Sequence, residues 1–134
     1  MNVPLIVAGC ILVLATAVHG AGGEILVVRK LSLEVLPGTS FGGPRMTKAM
    51  IHVTWHMTTL AFLTAGVALI LAGSVLDGDA ARALGLVGAG ACTGFAALAL
   101  FLGGAHMRTP RQLFRHPAPA ALTLAAVLAL VGAL

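Results

Sequence analysis

Charge is confined to short clumps in this chain, and the four stretches between them, residues 1–23, 49–76, 83–107 and 116–134, hold no Asp, Glu, Lys or Arg. A helix rises about 1.5 Å per residue and a bilayer core is about 30 Å thick, so roughly 20 apolar residues span it. In lipid every backbone polar group has to be satisfied within its own segment or a closed barrel, and runs of this length without period-two alternation select helices. The composition agrees: 59% of the 134 residues are hydrophobic and 9% charged, against about a quarter charged in soluble domains. Mean hydropathy is +1.04. The expected fold is therefore all-α, a single integral membrane domain forming a four-helix bundle. Its spans are expected near residues 2–23, 49–76, 80–106 and 117–134, the last barely long enough.

The first run carries "ATAVHGAGG", small residues of the kind a signal peptidase accepts, but it has no positive n-region and reads as a true first helix. Orientation follows from where Lys and Arg fall. The first connection holds Arg29, Lys30, Arg45 and Lys48 against Glu24 and Glu34, and the third holds Arg108, Arg111 and Arg115 with no acid; the middle one, "DGDAAR", is net negative. Loops one and three are thus expected in the cytoplasm and both termini on the non-cytoplasmic side, in a multi-pass protein of the bacterial inner (cytoplasmic) membrane. Arg108, Arg111 and Arg115 recur at spacings of three and four and share a face if helical, which suits anionic lipid phosphates. The net charge of +4 lies in these membrane-adjacent loops, so nucleic acid is not an expected partner.

The connections differ in character. In "VLDGDAAR" Gly78 is expected to end the second helix in a left-handed conformation and Asp79 to cap the third, making a tight hairpin. "EILVVRKLSLEVL" is too charged to cross and too apolar to leave, so it extends helix one or lies in the interface; "PGTSFGGP" then breaks any helix before Arg45. The third helix has one stripe of Ala81, Gly85, Ala89, Thr93 and Ala97 and another of Gly90 and Gly94. Small residues allow the close backbone approach that drives helix association in lipid, so this helix is expected to be central and most crowded; Gly90 and Gly94 alternatively form a homodimer face. Cys10 and Cys92 have no metal-type spacing and read as small apolar fillers.

Against this background "MIHVTWHMTT", residues 50–59, is anomalous. In the expected topology His19, His52, His56, His106 and His116 all lie toward the cytoplasmic side. His52 and His56 stand four apart and project from one helix face, an arrangement that holds a transition metal between imidazoles or lets one ring ligate haem. Ionisable groups within spans usually face the interior of a bundle. The expected site is a polar pocket of His19, His52, His56 and His106 with Glu24 as the nearest acid; these five are the candidate metal ligands. His19, His52, His56 and Trp55 are the candidate contacts to an organic cofactor. The bland reading is interfacial: a histidine at headgroup level bonds water or a carbonyl, a tryptophan anchors there, and Thr54, Thr58 and Thr59 bond back to helix carbonyls. His116, before Pro117, is expected to be interfacial.

"HGAGGE" at the end of the first span and "VTWHMTTL" in the second resemble short motifs of small four-helix inner-membrane proteins of bacteria. That resemblance implies fold and location and no activity. The sequence has no Walker loop, dinucleotide fingerprint or nucleophile elbow. A proton-coupled multidrug carrier would hold an acid within its spans, and all four carboxylates lie at or beyond the span ends. No catalytic residue is assigned. Two readings remain: a membrane protein whose histidine-lined pocket takes haem, a transition metal or a quinone, and an accessory or scaffold subunit of a larger membrane complex with no cofactor of its own.

Overall fold

The computed structural model describes residues 1–106 and 116–134, which are all-helical apart from their connections. Arg108, Arg111 and Arg115, the expected anionic-lipid contact, lie outside the described residues, as does the side chain of His106. Helix α1 (Val3–Ala17) starts where the Asn2 side chain accepts the Leu5 amide. It runs on through a π turn (Val18–Gly22) into α2 (Gly23–Leu26) and ends in a 3-10 turn, Val28–Lys30. The mixed apolar and charged segment after Gly23 thus begins by prolonging the first helix.

Helix α3 (Pro44–Ser74) opens with Pro44, whose missing amide costs nothing in a first turn. Two bonds tie the preceding loop onto it: Lys48 Nζ donates to the Leu31 carbonyl and Thr47 Oγ1 to the Pro37 carbonyl, each at 2.7 Å. Gly78 has φ +58°, the left-handed geometry expected at this hairpin, but it does not end α3, which stops at Ser74 with Val75 as its C-cap; Gly78 opens the next helix instead. Helix α4 (Gly78–His106) therefore holds Asp79 inside its first turn and not at the expected cap position, though a negative charge there still suits the helix dipole. Helix α5 (Pro117–Ala133) is capped by His116, whose Nδ1 accepts the Ala118 amide.

Three stretches, Val3–Lys30, Pro44–Ser74 and Gly78–Ala105, are long and apolar enough to cross a membrane. The 17-residue α5 is equally apolar but only about 25 Å long. Leu14, Leu60, Val87, Phe101 and Val131 are all more than half exposed, a surface that water would disfavour and lipid accepts.

The helices pack in the order α3, α1, α5, α4, with a thinner contact closing α4 onto α3. Close approach of α1 to α3 depends on Gly9 and Gly66: a Cβ added at either would come within 3 Å of the other's carbonyl oxygen. Asn2 ties three helix ends together, its amide donating to the Gly73 carbonyl at 2.7 Å and its Nδ2 to the Gly132 carbonyl at 2.6 Å. The third long helix is not the most crowded one. Leu5 and Leu12 of α1 are among the largest fully buried side chains, because α1 has α3 on one flank and α5 on the other. The small residues of α4 divide instead: Gly85, Gly88, Ala89, Cys92 and Ala96 face inward, while Gly90, Thr93 and Gly94 face out.

Candidate metal centre

At the end of the molecule opposite Asn2, α3 presents two adjacent stripes. Trp55, Thr59 and Phe62, spaced four and three apart, face the first helix; His52 and His56, four apart, lie on the neighbouring stripe. The first helix receives the aromatic stripe on small residues. Trp55 lies directly on Gly23, and a Cβ at Gly20 would meet the Thr59 methyl at 2.8 Å. In the π turn the Gly23 amide is spread over the Val18, His19 and Gly20 carbonyls, and Trp55 Nε1–H donates to the His19 carbonyl at 2.9 Å.

His19 is held on three sides. Its ring stacks on the Trp55 indole with centroids 4.4 Å apart and meets Phe62 edge-on at 5.5 Å. Its Nδ1 lies 2.9 Å from Thr59 Oγ1. The Thr59 hydroxyl has one hydrogen and directs it to the Trp55 carbonyl at 3.1 Å, so His19 Nδ1–H is the donor and Nε2 keeps the lone pair.

The π turn also places Glu24. In an unbroken α-helix residue 24 would stand about 140° around the axis from residue 19. The wider turn reduces that angle and brings both residues to the α3 side. Glu24 Oε2 then lies 3.1 Å from His52 Nε2 and 3.4 Å from His56 Nε2, while Oε1 pairs with Arg29 Nε at 3.2 Å. The two imidazoles are tilted with centroids 5.0 Å apart. Although both nitrogens are close, Oε2 is buried and no hydrogen bond of adequate geometry reaches it among the described residues. One ligand atom from each of Glu24, His52 and His56 lies within 4.8 Å of the others.

Of the sequence candidates, the structure brings together Glu24, His52 and His56. His19 and Trp55 stand beside them, engaged with each other and with Thr59. His116 serves as the α5 cap. Sequence reasoning missed Arg29 as the partner of Glu24, the π turn, and the roles of Gly20 and Gly23. The signal for the last was present: "HGAGG" is a run of small residues that an aromatic stripe elsewhere has to cover.

Zinc bound at about 2.0–2.2 Å by nitrogen and oxygen in a tetrahedron sets its ligands about 3.3 Å apart. The two Glu24–imidazole separations straddle that edge. Comparison with protein families, with curated proteins and with solved structures finds no match. What the chain shows of itself is a set of apolar, membrane-length helices and a His/Glu cluster at one end of them.

Proposed function

We propose that the chain is a multi-pass protein of the bacterial inner membrane, a four-helix bundle with both termini outside, that binds a divalent transition metal through His52, His56 and Glu24 at its cytoplasmic end. One observation carries the reading: a buried carboxylate oxygen and two imidazole nitrogens converge without hydrogen bonds to satisfy the oxygen. Arg29 pairs with the other oxygen of the carboxylate, but a buried oxygen without a hydrogen bond is costly, and a cation at that point would satisfy all three ligand atoms together. Two nitrogens and one oxygen suit zinc, copper(II), nickel or cobalt.

Metal is favoured over haem or quinone. Both imidazoles turn toward a carboxylate, and one face of the indole is taken by His19. Three protein ligands leave a tetrahedral site one position short, and the His52 and His56 side chains are 47% and 46% exposed. Such a site exchanges or presents its ion, whereas a structural zinc site is closed by four ligands. Two histidines four apart with a distant Glu match the donor set of a zinc hydrolase, yet position 53, where the general base of H-E-x-x-H would stand, is Val53. That hydrolytic chemistry is not supported.

Elemental analysis of protein purified in mild detergent without chelators tests the reading. The expected result is one metal per chain, lost in the His52→Leu/His56→Leu double variant. A well-folded wild-type chain that neither retains nor takes up zinc, copper, nickel or cobalt at micromolar concentration would sink it. The accessory-subunit reading has one observation in its favour. A Cβ added at Gly90 or Gly94 would meet nothing within 4 Å among the described residues, and Gly90 lines an outward groove with Leu86, Thr93, Ala97 and Phe101.

A further inference from the structure

The centre has a cation beside it that metal binding would not use. Arg29 contacts Glu24 through Nε alone, and its side chain is 71% exposed. A guanidinium has five N–H donors, so four remain for another acceptor. Arg29 sits in the 3-10 turn that ends the first helix, followed by Lys30. This is where the chain passes from apolar to charged residues, the depth at which lipid phosphates lie. The exposed edges of His52 and His56 open the unfilled coordination position to the same surroundings.

Charge points the same way. A divalent ion and the Arg29 guanidinium outweigh the single Glu24 carboxylate by two positive charges, with no other acid within reach among the residues that form the site. A neutral water in the fourth position leaves that surplus in place; an anion reduces it. A phosphate group presents one oxygen to a metal and others to a guanidinium fork, the pairing Arg makes best.

Resting on the metal reading above, we infer that the loaded centre binds a phosphate group as its fourth ligand, with one phosphate oxygen on the metal and another held by Arg29. The phosphate is that of a lipid headgroup or of a free phosphate ion, and both offer the same chemistry to the site. Glu24 links the two halves of this arrangement, one oxygen toward the metal and the other on Arg29, so that each orients the other.

The test uses the full chain loaded with cobalt(II) in a sugar detergent that contains no phosphate, read by the visible absorption of the metal. Inorganic phosphate is titrated in one arm and phosphatidic acid, in mixed micelles, in the other. The expected result is a saturable spectral change in at least one arm. Its midpoint should move to about 10-fold higher concentration in Arg29→Gln and return part of the way in Arg29→Lys. Response to phosphatidic acid alone identifies a headgroup, and response to inorganic phosphate identifies a free ion; either supports the inference. A cobalt spectrum unmoved in both arms, or an unchanged midpoint in Arg29→Gln, overturns it and leaves the metal reading standing. A chain that takes up no cobalt overturns both.

Discussion

Gly23 is the residue on which the site geometry most directly rests, because the Trp55 ring occupies the space a Cβ would need. Gly23→Leu is expected to push the indole off the first helix, breaking its bond to the His19 carbonyl and costing about 1–3 kcal/mol through overpacking. Trp55 is the only tryptophan, so its fluorescence reports the displacement directly. Gly22→Leu is the matched control, since nothing among the described residues lies within 4 Å of a Cβ there; an equal shift in both variants would contradict the packing described. Thr59→Val has a different expected effect. It removes the oxygen that accepts His19 Nδ1–H, at a cost of about 1–3 kcal/mol for a part-buried donor left unmade. Metal content should survive that change, because the three proposed ligands remain.

Among the elements, α2 and α3 meet at the proposed centre, so metal should stabilise their contact and protons should compete with it. Imidazole binds a metal only in its neutral form and carboxylate only when ionised. Acidification is therefore expected to release the ion, and thermal stability at fixed excess zinc should fall toward that of the metal-free chain as pH drops. In the His52→Leu/His56→Leu variant the zinc-dependent part of this response should vanish. A zinc-induced rise in melting temperature that persists in the double variant would place the ion elsewhere. Lower in the same helix, Gly66→Leu should separate α3 from α1 at the Gly9 crossing and destabilise the chain by about 1–3 kcal/mol or more.

For the whole molecule, orientation and partnership are the open proposals. With loops one and three in the cytoplasm, a cysteine placed at Ser32 in a cysteine-free background should react with impermeant maleimide only after the membrane is opened. One placed at Asp79 should react in intact spheroplasts. The opposite pattern would invert the topology and put the metal centre outside. The outward glycines distinguish the accessory reading: a Cβ at Gly90 or Gly94 meets nothing within 4 Å among the described residues, so Gly90→Ile and Gly94→Ile should leave the fold of the chain intact. Loss of a co-purifying membrane partner or of a dimer in those variants, with metal retained, would show that this face binds another helix.

Much of the architecture is legible in the sequence. Charge-free runs of membrane length prescribe helices because lipid offers backbone groups no other partner, and Pro44 and Gly78 mark boundaries through φ and missing amides, which are local properties. The i, i+4 spacing of His52 and His56 likewise fixes a shared face, whichever neighbour that face meets. What the sequence could not specify is the pairing between helices. It did not tell that α1, with its Leu5 and Leu12, would be enclosed while the small residues of α4 divided between core and surface. Nor did it show that a π turn would swing Glu24 onto the histidines and give its second oxygen to Arg29. Those outcomes depend on which helix surfaces fit against each other, as at Gly9 and Gly66 or Gly23 and Trp55, and that fit exists only when the whole chain is folded.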